Sequence, residues 1–202
     1  MISPGIFFKN FKIRKDNSNI KKKFQNFIKD NDSVLQSLGK NYKDNFTKKN
    51  LKKYKNYKDV HILGMGGSAI TGLLIAEILK QKIKHPIFIN QNYEIPKWVN
   101  ENTLVIASSY SGNTEETLIA CEKCIENKSK IIGFTTGGKL LELLKKMNYN
   151  NYVKMPEGLQ PRAAIGYSFT MMLKLLNQIE LVNNKLIYDL ENSIEPLAKK
   201  AE

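Results

Sequence analysis

The sequence predicts an α/β fold, a three-layer α-β-α sandwich built on a five-stranded parallel sheet. Three observations predict it. Five short runs are predominantly apolar: VHIL (60–63), PIFI (86–89), TLVIAS (103–108), KIIGFT (130–135) and YVKM (152–155). Helical patterns alternate with these runs, and the turns that follow three of them are rich in glycine or hydroxyl residues. Strands without polar alternation are covered on both faces, and strands that take turns with helices pair in parallel.

Residues 1–59 read as a helical N-terminal arm. They are rich in Lys and Asn, and apolar spacings such as Phe24, Phe27 and Ile28, or Val34, Leu35 and Leu38, suit short amphipathic helices, with Gly39 a plausible stop. Residues 60–182 form the α/β domain. The first strand leads through GMGGS into a helical pattern running through Ile70, Leu73, Leu74 and Ile78. The third strand gives way to SSYSGNTEET (108–117) and a helix from about Glu115 to Glu126. A Gly-Gly turn and the helix KLLELLKKM follow the fourth, and a Pro-containing loop and an apolar helix over 163–182 follow the fifth. Residues 183–202 continue as one further helix.

The whole-chain properties exclude several classes. With 202 residues and 42% hydrophobic content the chain supports one sizeable core. No apolar run approaches the ~18 residues of a membrane span, and the N-terminus lacks the pattern of a secretory signal. A soluble, cytoplasmic protein is expected. The net charge of +13 invites a nucleic-acid partner. However, the lysines concentrate in the first sixty residues among Asn and Asp, and Arg14 and Arg162 are the only arginines. That scarcity counts against base-edge readout, so no nucleic acid is expected. Cys121 and Cys124 form C-E-K-C inside a predicted helix, away from the strand-to-helix start a redox pair needs, and no second pair completes a zinc site. His61 and His85 are read as structural.

In an open parallel sheet, ligands bind beyond the carboxyl ends of the strands. Two such ends here are made of small and hydroxylated residues. In GMGGSAITG (64–72), Gly64, Gly66 and Gly67 let backbone approach a ligand, Ser68 adds a hydroxyl, and the helix start adds N–H donors. In the second, Ser109, Ser111 and Thr114 each carry a hydroxyl, Gly112 relieves the turn, and Asn113 or Thr114 is placed to cap the helix. Each loop alone is also compatible with an ordinary strand-to-helix turn; together they point to a phosphate. The first also fits G-x-G-x-x-G/A, but Asn90 stands where a dinucleotide site needs an acid, and no Lys-Ser/Thr follows as in a Walker loop. Arg162, in EGLQPRAAIGYS after the fifth strand, is placed to meet a substrate oxygen that gains charge, with a structural carbonyl contact the alternative.

These three segments, GMGGSAITG, SYSGNTEET and LQPRAAIGYSF, resemble in order and spacing the sugar isomerase (SIS) domain. More narrowly they resemble the bifunctional phosphoglucose/phosphomannose isomerases of the phosphoglucose isomerase superfamily. The resemblance covers about residues 60–182. It implies an α-β-α sandwich that grips a sugar phosphate through Gly66, Gly67, Ser68, Ser109, Ser111 and Thr114, with Arg162 stabilising a cis-enediolate. The implied reaction interconverts glucose 6-phosphate or mannose 6-phosphate with fructose 6-phosphate, with no cofactor and no metal. Members of that group carry two SIS domains, and the second supplies the catalytic glutamate, a histidine and a lysine in motifs absent from this sequence. The chain is therefore expected to be an N-terminal half, inactive alone and associating as a homodimer or with a second SIS domain. A stand-alone, non-catalytic phosphosugar-binding module is the alternative.

Overall fold

Five apolar segments come together as one sheet in the computed structural model, which describes residues 51, 54, 55, 57–159 and 164–201. The strands are β1 (Asp59–Leu63), β2 (Ile87–Asn90), β3 (Thr103–Ser108), β4 (Lys130–Thr135) and β5 (Tyr152–Lys154). The helices are α1 (Gly66–Leu79), α2 (Glu115–Glu126), α3 (Gly138–Lys146), α4 (Ile165–Gln178) and α5 (Asn184–Ala201). All pairings are parallel and the spatial order is β2-β1-β3-β4-β5, so the predicted α/β fold is the observed one. Most of the helical arm predicted over residues 1–59 lies outside the described residues. Of its last part, Leu51, Tyr54 and Tyr57 are buried in the core.

The two-residue period of the strands divides the core into two layers. Val60, Ile62, Leu104, Ile106, Ile132 and Phe134 face one side, where they pack with Ile75 and Leu79 of α1 and with Met171, Met172, Leu175 and Leu176 of α4. Leu63, Val105, Ala107 and Ile131 face the other, against Ala120, Cys121 and Cys124 of α2 and Leu140 and Leu144 of α3. β3, central in the sheet, is buried along its whole length. That is why its sequence carries no polar alternation.

Two polar links stitch the first layer. Thr71 Oγ1 and Ser168 Oγ share a hydrogen bond of 3.0 Å between α1 and α4. Tyr54 donates to the Ile131 carbonyl at 3.2 Å and accepts from Asn151 Nδ2. The two cysteines are free and buried within α2. Burial raises both thiols, Cys124 to about 12, so neither is a thiolate near neutral pH and the structural reading of the pair holds.

His61 and His85 are structural too. His85 is half-buried, its Nδ1 3.2 Å from the Lys58 carbonyl oxygen. His61 sits in the middle of β1 at 1% exposure with neither ring nitrogen hydrogen-bonded. Its ring meets the edge of Trp98 at 5.4 Å, and Trp98 leans on Phe88 at 4.6 Å. Burial without a partner disfavours the imidazolium and lowers the His61 pKa from 6.5 to about 4. The unfolded chain then binds the proton more readily than the folded one. Stability from this group is full above pH 7 and is lost as pH falls through 6.5 toward 4. The span corresponds to roughly 3 kcal/mol. Urea midpoints measured between pH 7.5 and pH 4 should therefore fall, and His61→Leu should flatten that dependence; an unchanged slope in the variant would refute the assignment.

Candidate ligand site at the carboxyl edge of the sheet

The strand order reverses between β1 and β3. The connection after β1 leads to β2 on one side, and β3 begins the run outward to β5 on the other. In doubly wound sheets a crevice opens at this point, and it takes the ligand. β1 and β3 pair in register with Leu63 opposite Ala107, so the loops beginning at Gly64 and at Ser109 leave the same edge side by side. They touch: a Cβ added at Gly64 would lie 3.1 Å from the Ser108 carbonyl oxygen and 3.0 Å from Ser68 Cβ. The glycine lets the chain turn back into α1 against β3.

Gly66 opens α1 at φ +52°, a left-handed conformation that a side chain would strain. Gly67 and Ser68 follow in the first turn, where the Ser68 N–H already donates to the Met65 carbonyl at 3.1 Å. The residue preceding the helix is Met65, and no side chain caps the terminus. α2 presents a second terminus of the same kind. Thr114 occupies its N-cap position, but its hydroxyl makes no capping bond. It shares a 3.0 Å hydrogen bond with Ser109 Oγ instead. The expectation that Asn113 or Thr114 caps α2 is thus corrected. Asn113 Oδ1 accepts from the Lys139 N–H at 3.1 Å, which serves the first turn of α3.

The hydroxyls divide into two kinds. Ser109 is 2% exposed, and its Oγ also accepts the Gly112 N–H at 3.1 Å, so it organises the turn from within. Ser111 is exposed and accepts from the Asn113 N–H at 3.2 Å, while Thr114 is half-exposed beside it. Gly112 lies at φ +70° under the neighbouring loop, and its carbonyl accepts from Leu140 N at 2.9 Å. α3 therefore has its first turn satisfied by this loop. α1 and α2, without side-chain caps, turn their positive ends to the crevice.

Sequence reading missed one residue here. It is Tyr110, within the hydroxyl-rich turn. Its hydroxyl donates to the Pro156 carbonyl at 2.7 Å and accepts from Leu159 N at 2.9 Å. Its own carbonyl accepts from Thr136 N and Thr136 Oγ1, both at 2.9 Å. A tyrosine between two serines in a polar turn is the available signal, because a ring of that size needs a wall to pack on. Arg162 lies outside the described residues. The segment that contains it joins β5 to α4, and the described residues before it are those that Tyr110 holds.

Among the described residues of these loops the functional groups are hydroxyls, amides and backbone N–H, together with the carboxylates Glu115 and Glu116 in the first turn of α2. Both histidines lie elsewhere. Asn90, at the end of β2, spends its side chain on the Asn92 carbonyl at 3.0 Å, in a local turn rather than as a ribose acceptor.

A parallel sheet with two helix termini free of side-chain caps and a hydroxyl-lined turn at its switch point defines a doubly wound α/β domain. A family model described as the SIS domain matches residues 53–179, and the chain belongs to that family. A bifunctional phosphoglucose/phosphomannose isomerase of Caldicellulosiruptor bescii is 45% identical over 145 residues, which cover 72% of this chain and 41% of that relative. A D-glucosamine-6-phosphate 4-epimerase of Sulfolobus acidocaldarius is 33% identical over 142 residues, covering 70% of this chain and 44% of that one. Among solved structures, the C-terminal domain of glucosamine-fructose-6-phosphate aminotransferase from Francisella tularensis superposes with a TM-score of 0.64 at 12% identity, covering 86% of this chain and 52% of that one. The chain thus spans less than half the length of these two relatives.

A Cβ placed at Gly112 would lie 1.9 Å from the Gly137 carbonyl oxygen and 2.7 Å from Thr135 Oγ1. Gly112→Ala should therefore cost about 2–4 kcal/mol in urea unfolding, from backbone strain and displacement of a fixed carbonyl. Tyr110→Phe should cost about 1–2 kcal/mol. It should also speed limited proteolysis between residues 155 and 164, where an unchanged cleavage rate would remove its assigned role.

Proposed function

We propose that this chain is the phosphate-gripping half of an aldose–ketose isomerase that interconverts glucose 6-phosphate, and mannose 6-phosphate, with fructose 6-phosphate. The observation that carries this reading is the convergence of two uncapped helix termini with the Ser109–Thr114 turn at the β1/β3 switch point. Gly66 and Gly67 offer backbone donors and Ser68 a hydroxyl from α1. Ser111 and Thr114 offer hydroxyls from the facing turn. Ser109 acts from beneath, orienting Thr114 through their shared hydrogen bond. A phosphate dianion at this point meets charge-assisted donors from two helix ends, which favours it over neutral ligands.

Arg162 is assigned the oxyanion that forms when a proton leaves C2 and the substrate passes through a cis-enediolate. A guanidinium keeps its charge at working pH and offers two parallel N–H donors to such a planar oxyanion. The proton itself needs a general base within hydrogen-bond reach. The base is assigned to a second domain, where the resemblance places the family's catalytic glutamate. The greater length of the isomerase and epimerase relatives supports this division. That similar half-chains occur in proteins named for isomerisation and for epimerisation also supports reading this half as the grip.

Calorimetric titration with fructose 6-phosphate tests the site. Ser109→Ala combined with Ser111→Ala should weaken binding by roughly 10- to 100-fold, the loss of one or two charge-assisted hydrogen bonds. Undiminished affinity would end the assignment. Arg162→Ala should leave fructose 6-phosphate binding within about threefold and abolish the preference for a planar anionic enediolate analogue, as expected for a group that acts on the transition state. Equal losses for both ligands would make Arg162 an ordinary binding residue.

A further inference from the structure

A cavity of about 440 Å³ opens at the amino edge of the sheet, between the last turn of α1 and the start of β2. Its size falls within the roughly 300–1,000 Å³ of small-molecule pockets. The loops that begin at Gly64 and Ser109 stand at the other end of β1, about 15 Å away along the strand.

Local sequence builds its walls. α1 stops at Leu79, and the N–H groups of Lys82 and Ile83 both fold back onto the Leu79 carbonyl, at 2.8 and 3.1 Å. That turn closes the negative end of the helix and brings Ile83 to the same cavity as Ala76. Together with Ile87, both half-bury their side chains and give the cavity an apolar floor. The segment before β2 is held in place. His85 Nδ1 lies 3.2 Å from the Lys58 carbonyl oxygen, and its ring meets the edge of Tyr57 at 6.0 Å.

The polar groups of the cavity are of one kind. β2 is an edge strand. Pro86 and Asn90 give their carbonyls to Val60 N and Gly64 N, so Ile87, of opposite parity, turns its backbone N–H to the open side. Lys80 and Lys84 stand at the rim with Glu77, whose carboxylate is 3.7 Å from Lys80 Nζ. Two ammonium groups thus meet one carboxylate, and the exposed Lys58 and Lys82 in the adjoining turns add the same sign. An apolar floor beneath surplus positive charge and an outward N–H suits an anion that carries an apolar body. A sugar phosphate has no such body, and an organic cation meets the wrong charge.

We propose that this cavity is a second ligand site and takes a small organic carboxylate with an apolar body. The carboxylate lies toward Lys80, Lys84 and the Ile87 N–H, and the body lies against Ala76, Ile83 and Ile87. The assignment is independent of what the loops at the carboxyl edge hold.

Amide NMR of the full 202-residue chain, titrated with phenylbutyrate, tests it. The Lys84, His85 and Ile87 resonances should shift and saturate in the millimolar range or below. Phenylbutylamine, the same body with the opposite charge, should bind roughly tenfold more weakly or worse. Lys80→Gln combined with Lys84→Gln should weaken phenylbutyrate by about tenfold or more, the loss of two charge-assisted contacts. A chain of net charge +13 attracts anions everywhere, so Lys145→Gln with Lys146→Gln on α3 is the control. It removes the same charge and should leave the affinity within about twofold. Saturating fructose 6-phosphate should not displace the probe. Absent shifts at 84–87, equal binding of the amine, an equal loss in the α3 pair, or displacement by fructose 6-phosphate would each overturn the proposal.

Discussion

The candidate site lies where it does because the chain changes the direction in which it adds strands. β2 is laid on one side of β1 and β3 on the other, so the connections that leave β1 and β3 part company at the sheet edge. Everything proposed for the site depends on that divergence. It separates the starts of α1 and α2 onto opposite faces of the sheet while keeping the loops that precede them in contact through Gly64 and Ser108. Had β3 added beside β2, the two helix ends would not face a common point.

Within that frame the polar groups follow a division of labour imposed by burial. A buried hydroxyl needs partners, and Ser109 finds them in Gly112 N and Thr114 Oγ1. The shared bond with Ser109 takes up the Thr114 hydroxyl at the N-cap position, and α2 enters the crevice without a side-chain cap. α3 shows the contrast. Its first turn is served by Gly112 O and Asn113 Oδ1, so its dipole end is closed by protein. The same turn closes one helix terminus and leaves its own open.

How much of this was legible in the sequence depends on what each pattern reports. β3 and β4 fall at the predicted residues because each has an unbroken apolar or small-residue centre and is buried along nearly its whole length. β2 begins at Ile87 rather than Pro86, since proline has no N–H to give a ladder, although the Pro86 carbonyl still accepts from Val60 N. α4 was predicted over 163–182 yet ends at Gln178. Glu180 takes φ +66° and the chain turns, while Ile179 and Val182 stay in the core. Apolar periodicity reports burial, and here burial outlasts helical hydrogen bonding. The site residues were legible as types, small and hydroxylated at strand ends. Which hydroxyl points outward, and the span from Tyr110 to Pro156, depend on contacts between loops far apart in sequence, and no local pattern carries those.

The phenol of Tyr110 has a consequence of its own. By donating to Pro156 and accepting from Leu159, it fastens the turn that carries Ser109, Ser111 and Thr114 to the stretch leading into Arg162. Two loops from different strands then move as one lever. A displacement of the serine turn is therefore carried through that one phenol to residues 156–159, on the far side of β4 and β5 in sequence.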